Sequence, residues 1–146
     1  QEIMAHGYHI IHLTGDALMN SERRIEENGD ALYLALPYIN NMNEAYKKAS
    51  LVLCRAGATT LSELSYQQLP SILIPYPYAM DNHQEKNASE FSKMHRHSVV
   101  INESELTIER MVVELQKNQP PDGADNANAP KQTMNTICEL IKTYLE

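Results

Sequence analysis

Basic residues, cysteines and long apolar runs are all scarce in this chain. It has 146 residues, with 12 Lys and Arg against 19 Asp and Glu, a formal net charge of −7 at pH 7. No run of Lys and Arg is longer than a pair, so the basic face that nucleic-acid binding requires is missing. Any contact with a phosphate is therefore expected to be local and made by backbone N–H groups.

The scarcity of long apolar runs and of cysteines indicates the cellular compartment in which the protein works. No apolar run reaches the roughly 18 residues of a spanning helix, and no signal or basic targeting segment is visible. Cys54 and Cys138 lie far apart in apolar surroundings, which is typical of small buried side chains rather than of a disulfide. This usage predicts a reducing cytoplasm.

The length and the 42% of hydrophobic residues suit one core, so we expect a single domain over residues 1–146. Gln1–Gly7 resembles the end of a helix closed by Gly7, which predicts that the chain begins inside a larger domain. Residues 118–130 are rich in Pro, Gly, Asn and Asp and predict a flexible loop. An apolar stripe over residues 131–146 predicts a terminal helix.

Short apolar segments alternate with amphipathic segments along most of the chain. The apolar segments predict strands at Tyr8–Leu13, Leu32–Tyr38, Leu51–Arg55, Ser71–Tyr76 and Ser98–Ile101. Helical spacing of apolar residues predicts helices at Met42–Ala49, Thr60–Leu69, Gln84–Met94 and Ile108–Lys117. Ser21–Asn28 is polar and only weakly helical. The alternation predicts an α/β fold with a Rossmann-like, doubly wound parallel sheet.

The most informative segment joins a strand to a helix through small residues. The run Leu51–Cys54 predicts a strand buried on both faces, Gly57 permits a sharp turn, and Thr59 or Thr60 can cap the helix. Free N–H groups at the helix start would then bind a phosphorylated ligand at the carboxyl edge of the sheet. Arg55 is the cation beside this turn.

Glu63, early in the same helix, has two interpretations. Thr60-x-x-Glu63 fits a capping box, in which the carboxylate only satisfies a backbone N–H. A carboxylate beside a phosphate-binding edge can also accept two hydrogen bonds from a ribose diol. The local pattern leaves both interpretations open.

The polar segment Tyr76–Asn87 also has two interpretations. Amide side chains at Asn82, Gln84 and Asn87 both donate and accept hydrogen bonds, which suits the hydroxyl and acetamido groups of a neutral sugar. However, Asp81-x-x-Gln84 fits a capping box as well, and Asn87 is equally typical of an ordinary surface position.

Two other strand exits carry weaker patterns. Gly15 allows close backbone approach and His12 could contact a ligand, although such a His is more often only hydrogen-bonded structure. Tyr38, Ile39 and Met42 could form an apolar slot for a flat base, but a hydrophobic staple before the helix is the favoured interpretation.

No metal site, cofactor or catalytic nucleophile is predicted. His83, His95 and His97 share a stretch without a carboxylate or Cys at ligand spacing, and His95-x-His97 is typical of an exposed helix end. The G-x-S-x-G, H-E-x-x-H and Walker A motifs are all absent from the sequence.

Together these residues resemble the carboxyl-terminal half of the MurG family, the bacterial peptidoglycan N-acetylglucosaminyltransferases of the GT-B type. The matching blocks are His12-x-x-Gly15, Tyr38-Ile-Asn-Asn-Met42 with Glu44-Ala-Tyr, and the stretch from Leu53-Cys-Arg-Ala-Gly-Ala-Thr-Thr-Leu-Ser-Glu63 through Asp81-Asn-His-Gln-x-x-Asn-Ala88. The third block is the specific one, and similarity fades after about Thr107. The resemblance implies a GT-B donor domain truncated at its first strand.

In that family this half binds UDP-N-acetylglucosamine, and the resemblance implies a role for each matching residue. Ile39 corresponds to the residue whose backbone meets the uracil, and Met42 lies nearby. The diphosphate turn corresponds to Ala56, Gly57, Ala58, Thr59 and Thr60. Glu63 matches the carboxylate that holds the ribose hydroxyls. The sugar-contacting block corresponds to His83, Gln84 and Asn87.

For the intact enzyme, the resemblance implies that the 4-hydroxyl of a lipid-linked muramoyl-pentapeptide attacks the donor's anomeric carbon. The configuration inverts, UDP leaves and lipid II forms. The acceptor half and the first diphosphate loop would be missing here, so no catalytic residue is assigned and these residues alone are expected to be inactive. The intact enzyme would be peripheral to the inner face of the cell membrane, without an obligatory metal.

The sequence leaves three alternatives open. One is the donor-binding subunit of a dolichol-linked N-acetylglucosaminyltransferase, which Asp81-Asn-His-Gln84 would also suit. Another is a nucleotide-sugar 2-epimerase domain, which would need an acid–base pair of carboxylates that the sequence does not offer. The third is a nucleotide-binding or interaction module whose caps are purely structural.

Overall fold

The computed structural model describes residues 2–15, 24–29 and 31–118. The chain divides into two compact units, and the boundary between them lies between Ala45 and Tyr46. The predicted loop at 118–130, apart from Asn118, and the predicted terminal helix at 131–146 lie outside the described residues. Among the helices of the described ranges, none has the length and apolar character needed to cross a bilayer.

The first unit contains a three-stranded sheet. Its strands are β1 (Ile10–Leu13), β2 (Arg24–Asn28) and β3 (Ala31–Leu36), in the spatial order β1-β3-β2. β1 runs parallel to β3, whereas β2 runs antiparallel to it. The core of this unit is formed by Leu34, Leu36 and Ile39. Helix α1 (Met42–Lys48) follows and contains the boundary between the units.

Strand β2 shows that the weakly helical interpretation of Ser21–Asn28 was wrong for residues 24–28. These residues pair with β3, and the register places Asn28 opposite Ala31, which leaves a two-residue connection between the strands. A polar edge strand is held by backbone hydrogen bonds and needs little apolar burial. Its sequence therefore lacks the apolar run by which the other strands were predicted.

A single 3₁₀ turn, Met4–His6, precedes the first sheet. Gly7 ends it with a φ of +81°, and the Gly7 N–H donates to the Met4 carbonyl. The prediction that Gly7 closes a helical turn is thus confirmed. A positive φ of this kind is the conformation that glycine adopts without steric cost.

The second unit is a parallel α/β structure. Its strands β4 (Val52–Cys54), β5 (Ser71–Leu73) and β6 (Ser98–Val100) pair in parallel in the order β4-β5-β6. Each strand is followed by a helix: α2 (Ala58–Gln67), α3 (His83–Met94) and α4 (Ile108–Lys117). This confirms the predicted α/β class with a parallel sheet.

Burial differs between the strands of this second sheet. All three residues of the central strand β5 are fully buried. In β4, by contrast, the side chain of Leu53 is 47% exposed, so the expectation that Leu51–Cys54 is buried on both faces was wrong. Within the described residues β4 pairs with β5 alone, and an edge strand has fewer neighbours to cover it.

Helix α4 provides a test of the local structure. Thr107 is its N-cap residue, and the Thr107 hydroxyl oxygen accepts a hydrogen bond of 3.1 Å from the Arg110 N–H. Thr107→Ala should lower the free energy of unfolding by about 1 kcal/mol, because this N–H loses its partner. Urea denaturation of the two proteins measures the difference. Thr107→Ser keeps the hydroxyl and serves as the control; equal losses for both variants would contradict the assignment.

Candidate functional site

Two helices of the second unit begin at the carboxyl edge of its parallel sheet, and a side-chain hydrogen bond joins their starts. Asn87, in the second turn of α3, donates from Nδ2 to the carbonyl of Ala56 at 3.3 Å. Ala56 lies between β4 and α2 and is fully buried. The structure therefore brings the predicted phosphate turn and the predicted sugar-contacting segment into direct contact.

The start of α2 differs from the prediction. The helix begins at Ala58, and its N-cap residue is Gly57, which makes no side-chain capping bond. Thr59 and Thr60 are therefore inside the helix, so neither caps it and the Thr60-x-x-Glu63 capping box does not form. Within the described part of the chain, the first N–H groups of α2 have no side-chain cap. Unpaired N–H groups and the helix dipole together attract an anion.

Gly57 is not required for a sharp turn. Its φ of −71° and ψ of 141° are extended values that any residue adopts, contrary to the expectation from sequence. A Cβ added at this position would meet Thr60 Oγ1 at 4.0 Å and nothing nearer. The glycine therefore leaves open space beside the helix start.

Glu63 is exposed on α2, and a buried tyrosine holds its carboxylate. The hydroxyl of Tyr46 donates to Oε2 of Glu63 at 2.8 Å. Tyr46 is only 7% exposed. Burial, and then the hydrogen bond and negative charge of Glu63, raise the pKa of Tyr46 well above its ordinary value. The phenol therefore stays protonated and remains a donor at neutral pH.

The loop between β5 and α3 is organised by two of the predicted site residues. Gln84 accepts a hydrogen bond of 3.0 Å from the Tyr76 N–H through Oε1. The His83 ring donates from Nδ1 to the Met80 carbonyl at 2.7 Å. Because α3 begins at His83 without a side-chain cap, the Asp81-x-x-Gln84 capping box, one of the two interpretations of this segment, does not form.

Two consecutive residues of this loop have left-handed backbones. Asp81 and Asn82 both have a φ of 53°. Asp and Asn are the non-glycine residues that tolerate this region best. The conformation turns the chain sharply just before α3 and so sets the positions of His83 and Gln84.

Arg55 contacts the segments that follow β5 and β6. One terminal nitrogen donates to the carbonyls of Ile74 at 3.4 Å and Pro75 at 3.2 Å, and it forms a 2.6 Å ion pair with Glu103. The guanidinium carbon also lies 5.5 Å from the centre of the Tyr76 ring. In the structure, the Arg55 guanidinium is therefore bound to neighbouring loops. From the sequence, we predicted that it lies beside a bound phosphate.

Cys54 precedes Arg55 and lines, with it, a shallow hollow of about 410 Å³. Burial raises the pKa of the Cys54 thiol to about 11, so the thiol is neutral at pH 7 and is not an activated nucleophile. Within residues 2–15, 24–29 and 31–118, no three His, Cys, Asp or Glu side chains are grouped so that they could hold a metal ion.

The remaining predicted residues belong to the first unit. The His12 ring is hydrogen-bonded through Nδ1 to the Tyr33 hydroxyl at 2.7 Å, which matches the structural interpretation of this His. Gly15 has a φ of +69° and donates to the Pro37 carbonyl at 3.1 Å, so the exits of β1 and β3 lie together. Ile39 is buried in the core and Met42 packs against it, as the packing interpretation expects.

Comparisons with known proteins give one consistent result. The family model described as "Glycosyltransferase family 28 C-terminal domain" matches residues 1–144. A relative from Desulforamulus reducens is 44% identical over 109 residues, covering 70% of this chain and 29% of the relative. One from Acetivibrio thermocellus is 38% identical over 148 residues, covering 96% of this chain and 40% of the relative.

Both relatives are named UDP-N-acetylglucosamine–N-acetylmuramyl-(pentapeptide) pyrophosphoryl-undecaprenol N-acetylglucosamine transferase. Among solved structures, Acinetobacter baumannii MurG matches with a TM-score of 0.55 and 26% sequence identity, covering 76% of this chain and 35% of that chain. The chain thus spans less than half the length of the proteins that it matches.

The left-handed backbone before α3 can be tested directly. Asn82→Ala should lower the free energy of unfolding by about 1 kcal/mol, because alanine adopts a positive φ at a steric cost that asparagine partly avoids. Asn82→Gly relieves this cost and should come close to the original stability. Thermal or urea denaturation measures both; an alanine variant as stable as the glycine variant would show that the conformation is not maintained.

Proposed function

We propose a donor-binding function from the premise that this chain belongs to the glycosyltransferase family 28 C-terminal domain family. In this proposal it is the UDP-N-acetylglucosamine-binding part of a transferase that builds lipid II for peptidoglycan. The names of its relatives support the substrate and the reaction. Because the chain covers only part of those relatives, the activity of the whole protein is itself part of the proposal.

The main support for the proposal is the hydrogen bond from Asn87 to Ala56, which joins the starts of α2 and α3. The N–H groups in the first turn of α2 have no side-chain cap, and the space beside Gly57 is open. We assign the diphosphate to this turn, from Ala56 to Thr60, because backbone donors and the helix dipole compensate its charge without a basic cluster. This suits a chain whose net charge is −7.

Glu63 is the proposed ribose ligand. Its Oε2 is occupied by the Tyr46 hydroxyl, whereas Oε1 has no hydrogen-bond partner among the described residues. An ionised carboxylate oxygen accepts more than one hydrogen bond, so Glu63 can still accept from the ribose diol. Its exposure on α2 leaves the carboxylate accessible.

The amino sugar is assigned to the start of α3. Gln84 uses Oε1 within its own loop, which leaves its amide nitrogen as a donor for a sugar hydroxyl. Asn87 uses Nδ2 on Ala56, so its carbonyl oxygen is the group left to accept from the sugar. In the neutral His83 ring, donation by Nδ1 leaves Nε2 as an acceptor.

In the intact enzyme these contacts would serve the departure of UDP. The muramyl 4-hydroxyl attacks the anomeric carbon, the bond to the diphosphate oxygen breaks, and negative charge grows on that oxygen. Preorganised N–H groups at the α2 start would stabilise this charge, and a single donor of this kind is worth about 3 kcal/mol in other enzymes. The acceptor, its base and the membrane contact are assigned to parts of the enzyme outside this chain.

The assignments in the first unit rest on the resemblance alone. Contact of uracil with the Ile39 backbone, and of the nucleotide with Met42, His12 and Gly15, stay predictions. A role for Arg55 at the diphosphate also stays a prediction, and it would require the guanidinium to exchange some of its present partners.

Nucleotide binding tests the proposal. The natural gene product that carries these 146 residues should bind UDP more tightly than ADP in isothermal titration calorimetry. Glu63→Ala should weaken UDP binding by about tenfold or more, since two hydrogen bonds to a charged acceptor are lost. Glu90→Ala is the matched control, because Glu90 is an exposed carboxylate on α3 whose ion-pair partner is Lys93. Equal affinity for UDP and ADP, or indifference to Glu63→Ala, would refute the donor site.

A further inference from the structure

The hydroxyl of the buried Tyr46 has no assigned contact with the donor in the proposed function. Tyr46 lies in α1, seventeen positions before Glu63, and its hydroxyl reaches Oε2 of Glu63 at 2.8 Å. Its ring is almost entirely covered, at 7% exposed, while Glu63 itself is exposed. A fixed donor inside the protein thus holds one end of a surface carboxylate.

We infer that Tyr46 is a positioning residue, which orients the Glu63 carboxylate so that the ligand's vicinal ribose hydroxyls are recognised. The inference rests on the proposed function, because it requires Glu63 to be the ribose ligand. It adds a determinant of specificity: this site would distinguish ribonucleoside from deoxyribonucleoside diphosphates through a tyrosine that does not itself touch the ligand.

The exposed side chain of Glu63 would have considerable conformational freedom on its own. Such a side chain samples several rotamers, and ordering it on binding costs conformational entropy. The Tyr46 hydroxyl removes much of this freedom before a ligand arrives, because the ring is packed and the hydrogen bond is to a charged oxygen. Preorganisation of this kind increases affinity without adding any contact to the ligand.

Only one of the two carboxylate oxygens is used by Tyr46. The bond fixes Oε2, and Oε1 is left without a hydrogen-bond partner among the described residues. A vicinal diol has two donors at a fixed separation, so a carboxylate held in one orientation can accept from both. A ligand that lacks these hydroxyls gains no affinity from the orientation of the carboxylate.

The test compares ligands as well as variants. In the natural gene product that carries this chain, Tyr46→Phe should weaken UDP binding by about three- to tenfold, because one hydrogen bond to a charged group is lost. Binding of 2′,3′-dideoxy-UDP should change less than twofold. Calorimetric titration of both nucleotides into the original protein and into the Tyr46→Phe variant measures the change in affinity for each nucleotide.

Two controls separate positioning from a general structural effect. Tyr66→Phe removes a hydroxyl from a tyrosine of α2 that is 85% exposed, and it should leave both affinities unchanged. On a Glu63→Ala background, Tyr46→Phe should have no further effect on UDP binding, because the group that it orients is gone. Phenylalanine fills the space of the tyrosine ring, so the fold is expected to persist, and thermal unfolding checks this.

The possible outcomes distinguish the inference from the function on which it rests. If UDP binding responds to Glu63→Ala but not to Tyr46→Phe, the donor site stands and the positioning role is refuted. If Tyr46→Phe weakens UDP and dideoxy-UDP equally, the hydroxyl acts on the structure and the inference is again refuted. If the original protein binds UDP no better than ADP, the proposed function fails and this inference fails with it.

Discussion

Parallel pairing of β4, β5 and β6 is the constraint on which the candidate site depends. Parallel strands end at one edge of a sheet, so the helices that follow β4 and β5 must both begin there. The Asn87 amide joins these two starts through the Ala56 carbonyl. Two residues that lie 31 positions apart in the sequence thereby become neighbours.

Around that edge, polar side chains are held by hydrogen bonds inside the protein and keep some capacity for a ligand. Gln84 holds its own loop through its oxygen, Asn87 holds the neighbouring turn through its nitrogen, and the buried Tyr46 hydroxyl holds Glu63. Each retains a second polar atom. Such an arrangement needs little reordering on binding, which suits the proposed role of positioning a donor and stabilising its leaving group.

The sequence predicted those features that arise from local patterns. Among the residues that the structure describes, alternating apolar and amphipathic segments predicted five of the six strands and all four α-helices, because burial of one helix face or of a whole strand leaves a periodic pattern. β2 was missed because an edge strand needs no such pattern, although the dipeptide Gly29-Asp30 between β2 and β3 is a hairpin signal in the sequence. Neither capping box forms, because α2 begins after Gly57, which has no side chain, and the N-cap of α3 is Asn82, whose side chain makes no capping bond. The bond from Tyr46 to Glu63 joins two helices and has no local signature, so it could not be predicted from the sequence.

The central claim is that Glu63, the α2 start and the amides of α3 form one surface for a uridine diphosphosugar. A crystal structure of the natural gene product soaked with UDP-N-acetylglucosamine tests it most directly. The account predicts that Glu63 Oε1 lies within hydrogen-bond distance of a ribose hydroxyl, that the diphosphate contacts the N–H groups at the start of α2, and that Tyr46 keeps its bond to Oε2. A nucleotide bound with its ribose away from Glu63, or with its diphosphate away from α2, would contradict the account.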